Sequence, residues 1–185
     1  MKPLMTDRLI LRNFEESDYE DVYEFLSQRK EDDFEAYPDI TYENGREHLE
    51  YRVHNDEFVA IQLKTTGKII GNVYFDNRDF ESKELGYIVN KDYQRQGYAT
   101  EAIAEVLKAG FQAGVHRVFA ECDPRNTCSW KLLESLHFSR EAFFRQNVYF
   151  KKDANGNPIW QDTYVYCLLN KSQNGKKAVN DGETV

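Results

Sequence analysis

The sequence predicts a mixed α/β domain of seven strands and about four helices, in the order strand, two helices, three strands, helix, strand, helix, two strands. Three observations carry this. The segment after Gly97 sets Ile103, Val106, Leu107, Gly110 and Phe111 on one helical stripe. Three strand-like runs follow one another in mid-chain, "EFVAIQLK", "IIGNVYFD" and "ELGYIVN". Such a meander argues for a largely antiparallel sheet and against a doubly wound parallel one.

Along the chain, "DRLILRNF" puts Leu9 and Leu11 on one face and reads as the first strand. "EESDYEDVYEFLSQ" spaces Tyr19, Val22, Tyr23 and Leu26 as a helix, with Ser17 and Asp18 as candidate caps. The acidic stretch 29–39 nearly ends in Pro38 and reads as a loop. Asn44 is the candidate cap of a second helix running through Leu49 to about Val53. The first two mid-chain strands form a hairpin across Thr66-Gly67, and the third runs from Glu84 to Asn90. The next helix begins around Tyr98 to Thr100 and stops near Gly114. "HRVFAEC" is a strand ended by Asp123-Pro124, and "NTCSWKLLESLHF" is a short helix with Trp130, Leu133 and Leu136 inward. "FFRQNVYFKK" and "PIWQDTYVYCLL" flank Asn155-Gly156, a strong hairpin signal. One domain is expected over 1–169, followed by a frayed polar tail over 170–185.

Composition excludes several function classes. A net charge of −8 opposes generic attraction to nucleic-acid phosphates or anionic lipid. No apolar run approaches the roughly 18 residues of a membrane span, and "MKPLMTDRLI" lacks a signal-peptide core. A soluble, cytoplasmic protein is expected, with no nucleic-acid or membrane partner; a homodimer is among the assemblies the sequence allows. The three cysteines form no disulfide framework and are expected to be reduced. Cys122 and Cys128 are too far apart for a zinc pair and the four histidines are scattered, so no metal is expected.

The stretch "NKDYQRQGYATEA" joins a strand to a helix. It has neither the P-loop pattern nor the three glycines of a dinucleotide fingerprint. A glycine turn feeding a helix N-terminus nevertheless suits a pyrophosphate, because the first helical amides are unpaired and lie at the positive dipole end. An ordinary β–α connection would look the same.

Gln94-Arg95-Gln96-Gly97-Tyr98-Ala99 matches Q/R-x-x-G-x-G/A, and the chain thereby resembles the GNAT superfamily of N-acetyltransferases. "ELGYIVN", Asn126-x-x-Ser129 and "LLESLHF" fall in the family's order, and "TDRLILRNF" is similar to the first strand of the ribosomal-protein serine and alanine N-acetyltransferases. The resemblance covers about Thr6 to Leu169. It implies a GNAT-like, largely antiparallel seven-stranded sheet whose central parallel pair, "ELGYIVN" and "HRVFAEC", splays around acetyl-CoA. The pantetheine arm would pair with Tyr87, Ile88 and Val89, and the pyrophosphate would sit on Gln94, Arg95, Gln96, Gly97, Tyr98, Ala99 and Thr100. Asn126 would hold the arm near the thioester, or cap its helix, or both.

Acetyl transfer needs a neutral amine, an oxyanion donor and a partner for the leaving thiolate. Glu121 and Glu84 are both candidate bases, as are waters they could relay through. Many family members place a tyrosine on the helix after the last parallel strand, where this chain has Leu133; the serine-type branch uses the N-x-x-S hydroxyl, here Ser129. That branch's acidic residue in the following strand falls at Val148. His137 replaces the usual glycine before Phe138, and Cys128 is not expected to act covalently. The acceptor is expected to be a primary amine, either a small amine or a protein N-terminus. Candidate acceptor residues are the acidic loop with Glu31, Asp32, Asp33, Glu35 and Asp39 beside Phe34 and Tyr37, and Arg145, Gln146, Asn147 and Tyr149 of the last hairpin. The alternative is a non-catalytic acyl-CoA-binding sensor of the same fold.

Overall fold

The computed structural model describes residues 1–30, 34–35 and 38–171. The strands are β1 (Leu4–Met5), β2 (Leu9–Arg12), β3 (Phe58–Leu63), β4 (Ile69–Arg78), β5 (Ser82–Val89), β6 (Arg117–Cys122), β7 (Ser139–Lys152) and β8 (Pro158–Leu169). The helices are α1 (Tyr19–Ser27), α2 (Gly45–Val53), α3 (Tyr98–Gln112) and α4 (Thr127–Ser135). All strands join one sheet in the order β1-β2-β3-β4-β5-β6-β8-β7. The eighth strand, β1, pairs Leu4 with Leu11 and Met5 with Ile10. Two residues are too few to show a period, so only pairing with β2 defines it.

Every pairing is antiparallel except β5 with β6. That parallel contact holds Ser82, Lys83 and Glu84 against Arg117, Val118 and Phe119, and then stops. From Leu85 to Val89, β5 keeps its β4 partners but presents an unpaired edge toward β6. The splay expected from the resemblance is therefore present.

Two apolar cores flank the sheet. Ile103, Val106 and Leu107 of α3 and Leu133 of α4 pack with Val73, Phe75, Leu85 and Val118. On the opposite face, Val22, Phe25 and Leu26 of α1 and Leu49 of α2 cover Ala60, Ile69 and Ile88. The helical stripe read from the sequence is the buried one, because a 3.6-residue period presents one face to the sheet. Trp130 and Leu136 reach the same core only in part.

Local details depart from the expectations where side chains find distant partners. Asp18 precedes α1 but does not cap it; its buried carboxylate takes Nη1 and Nη2 of Arg12 at 2.8 Å each. Asn44 precedes α2, yet its Oδ1 accepts from the Thr41 amide. His137 ends α4 in the left-handed region, φ 67°, which accounts for glycine being the usual residue there. Asn170, at the start of the expected tail, is only 4 % exposed; its Nδ2 donates to the carbonyls of Phe111 and Val115. Residues 172–185 lie outside the described residues, as do Glu31, Asp32, Asp33 and Tyr37 of the acidic loop.

Candidate active site

Asn90 closes β5 and pins the loop that follows. Fully buried, it donates from Nδ2 to Glu24 at 2.6 Å and accepts at Oδ1 from Gln28 and from the Asp92 amide. One short 3₁₀ turn later, Arg95 (φ 62°) and Gly97 (φ 82°) both take left-handed backbone, and α3 begins at Tyr98. Among the described residues, no acceptor takes the amide protons of Arg95, Gln96, Gly97, Tyr98, Ala99 or Thr100. Unpaired amides at the N-terminus of a 15-residue helix suit a phosphate group.

Arg8, which the sequence alone did not single out, joins this loop from β2's approach. Its Nη1 donates to the Gln96 carbonyl at 3.0 Å, and its guanidinium lies 4.3 Å from the Tyr98 ring centroid. A Cβ on Gly97 would come within 3.3 Å of Arg8 Nη2. Glu101 steadies Arg8; burial works against its charge, yet hydrogen bonds from Thr6 and Arg8 hold its carboxyl below the usual range. The Gln96 side chain folds back onto the Asp92 carbonyl and is absent from the lining of the cavity described next. The other expected cofactor residues (Tyr87, Ile88, Val89, Gln94, Arg95, Gly97, Tyr98, Ala99, Thr100, Asn126 and Ser129) all line one cavity of about 560 Å³.

A second cavity, about 420 Å³, opens on the α1/α2 face and shares Phe34, Glu35, Leu85, Gly86, Tyr87, Ile88 and Glu121 with the first. The strand alternation of β5 explains the sharing, since Tyr87 and Ile88 point to opposite faces of the splayed strand. Carboxylates and rings line this second space, among them Glu35, Glu84, Asp162, Phe58, Tyr74 and Phe150.

The two carboxylates expected as candidate bases separate here. Glu84 is gripped by Arg78, with Nη2 at 2.5 Å and Nε at 3.1 Å, and lines only the second cavity. The Glu121 carboxylate has no hydrogen-bond partner among the described residues, and the residue lines both. Partial burial, and then the neighbouring Glu84 charge, hold its carboxyl above the ordinary range.

Asn126 caps α4, its Oδ1 accepting from the Ser129 amide at 3.1 Å. Among the described residues, the Ser129 hydroxyl bonds no backbone group; its Oγ lies 2.9 Å from the Tyr87 hydroxyl, which also donates to the Ser129 carbonyl at 3.2 Å. Burial pushes the Tyr87 phenol upward, so it stays protonated. Leu133, at the position where a tyrosine was sought, is 1 % exposed in the core. Cys122 and Cys167 are buried thiols, and Cys128 is exposed.

The hairpin residues at the second cavity are Val148, Phe150, Gln161, Asp162 and Thr163; Arg145, Gln146, Asn147 and Tyr149 do not line it. Pairing between β7 and β8 shifts register between Phe144 and Val148, and Tyr149 packs edge-on to Trp160 at 5.3 Å. Four residues of β7 span two of β8 there, and such a bulge leaves no signal in the local alternation of side chains. Sequence reading also passed over Asn72, 1 % exposed, whose Oδ1 is unpartnered in this cavity's wall. Asparagine inside an apolar strand run was the available signal.

Among the described residues, no helix is long and apolar enough to cross a membrane, and no cluster of three or more ligating side chains could hold a metal. The acetyltransferase (GNAT) domain family matches residues 8–139. The uncharacterized N-acetyltransferase YnaD of Bacillus subtilis is 30% identical over 174 residues, spanning 92% of this chain and 99% of its own length. A GNAT-family acetyltransferase structure from Bacillus anthracis superposes with a TM-score of 0.81 at 29% identity, over 91% of this chain and 98% of that one. The ribosomal-protein-S5-alanine acetyltransferase from Vibrio fischeri has the same fold, with a TM-score of 0.76 at 22% identity over 92% and 98% of the two chains. With the splayed strand pair and the amide-lined turn both in place, the domain match leads to one assignment: this chain belongs to the GNAT acetyltransferases.

Proposed function

We propose that the protein is an acetyl-CoA-dependent N-acetyltransferase that moves an acetyl group directly onto a primary amine within a ternary complex. The observation that carries this reading is the junction of two cavities at Gly86–Ile88 and Glu121. One cavity offers unpaired amides, Gly97 and Arg95 to a pyrophosphate; the other offers carboxylates to an ammonium group. Acetyl-CoA, when bound, supplies the acetyl group as an activated thioester. Holding both reactants at one strand edge can be worth about 7–11 kcal/mol of barrier.

Glu121 is the base in this proposal. A free lysine amine titrates near 10.4 and an α-amino group near 8, so the acceptor arrives charged and must lose a proton. A carboxyl held above its ordinary range is better matched to that proton than Glu84, whose charge Arg78 stabilises. Ser129 presents a hydroxyl that donates without titrating at neutral pH. The acceptor is a cationic amine, small or at a protein N-terminus, handled by one domain over 1–169 in the cytoplasm.

Thiol release from acetyl-CoA across a panel of amines, ribosomal-protein N-terminal peptides included, tests this function. Acceptor-dependent turnover is expected. Tight acetyl-CoA binding with no turnover on any amine would instead identify a sensor.

A further inference from the structure

The Ser129 hydroxyl sits where a hydrogen-bond donor to a leaving thiolate is needed, but a serine proton rotates freely unless its surroundings direct it. Two facts restrict it here. The Tyr87 hydroxyl is 2.9 Å from Ser129 Oγ, arriving from β5 across 42 residues of chain. Among the described residues, no backbone carbonyl accepts from Oγ, the usual fate of a serine in the first turn of a helix.

We infer that Tyr87 is a positioning residue: its hydroxyl, in contact with both the carbonyl and the Oγ of Ser129, holds the Ser129 hydroxyl at the wall of the donor cavity. The Tyr87 phenol keeps its proton near neutrality, since burial raises it, and so remains a neutral partner of the Ser129 hydroxyl. The hydroxyl missing at buried Leu133 is thereby supplied from the sheet instead of from α4. In the transfer, Glu121 takes the ammonium proton, the neutral nitrogen bonds the thioester carbon, and the second nitrogen proton is released to water. Ser129 then hydrogen-bonds the sulfur, which keeps the electron pair of the broken C–S bond, and its own proton stays on Oγ.

The inference rests on the cavity being the acetyl-CoA site, and Tyr87→Phe tests it. Removing one hydroxyl that acts through a hydrogen bond should lower kcat about tenfold. The KM for acetyl-CoA should stay within about twofold, because binding is left intact. A second readout needs no turnover: the thiolate absorbance of enzyme-bound CoA followed against pH. Tyr87→Phe and Ser129→Ala should each raise the pH at which the bound thiol ionises. Ser129→Ala with Tyr87→Phe together should be no worse than Ser129→Ala alone, since the tyrosine works only through the serine. Wild-type kinetics in Tyr87→Phe, additive losses in the double variant, or an unmoved thiol titration would overturn the inference. If wild type binds CoA but acetylates no amine, the proposed function falls while the titration still decides the role of Tyr87. If CoA does not bind, both fall.

Discussion

Gly97, Glu121 and Ser129 each test one demand of acetyl transfer. A left-handed φ costs an L-residue about 1–2 kcal/mol, and a carboxylate beside unpaired amides would repel phosphate. Gly97→Asp should therefore raise the acetyl-CoA Kd by more than about tenfold, by titration calorimetry, with an unchanged circular dichroism spectrum. Glu121 gives a prediction whose sign differs for rate and stability. Its carboxyl is held above the ordinary range by partial burial and by Glu84. As a base it works only when ionised, so the acid limb of kcat/KM should lie above the ordinary glutamate value of about 4.3 and vanish in Glu121→Gln. That variant should lose about a hundredfold in kcat/KM. A raised carboxyl stabilises the fold only while protonated, and that contribution is lost as pH rises through its folded-state value. Glu121→Gln should therefore melt at or above the wild-type Tm at neutral pH. A large drop in Tm would show that Glu121 is structural.

Among the elements, β5 does the most to create the site, and its neighbours hold it in register. Gly71 of β4 faces Val89 at φ 154°, and a Cβ there would lie 2.1 Å from the Ile88 carbonyl oxygen. Gly71→Ala must push β5 away from β4, so acetyl-CoA binding should weaken even though residue 71 lines neither cavity; unchanged affinity would show that the strand edge is not used. The short helix α4 is held chiefly by Leu133, its one fully buried side chain. Leu133→Ala should cost about 2–5 kcal/mol in denaturant unfolding, as expected for a core cavity. The β7/β8 hairpin is anchored differently. Only Tyr164 to Leu169 of β8 pair with β6, so the outer half runs past the sheet and closes the second cavity with Val148 and Phe150.

For the whole molecule, two cavities meeting at one strand predict an order of events. Both reactants must be present together, so double-reciprocal plots in acetyl-CoA and amine should intersect. Parallel lines would indicate an acyl-enzyme, and Cys128 would then be the residue to examine. Lys68 ties α1 to β4 through Asp21 at 2.7 Å and Glu24 at 2.8 Å, while Asn90 links Glu24 to the phosphate-suited loop. Helix α1 and the amide-lined loop are thus joined through Glu24 and, at the helix end, Gln28.

Most of the fold was legible in the sequence, because periods of 2 and 3.6 residues are local properties of the backbone. The helical stripe of α3, the two hairpins and the glycine turn could all be read directly. The amide-lined turn was legible for the same reason, being one contiguous stretch. The outcome was different wherever distant segments converge. Arg8 lies 88 residues from the Gln96 carbonyl it holds, and Tyr87 lies 42 from Ser129. Which faces of β7 and β8 wall the second cavity depended on register shifts that leave no mark on composition. Sequence by itself thus determined the family, the strand and helix order and the glycine turn before α3. Tertiary structure decided which of Glu84 and Glu121 has a side-chain partner among the described residues, what surrounds the Ser129 hydroxyl and which residues enclose the second cavity, because strand register and splay bring those groups together and chain proximity does not.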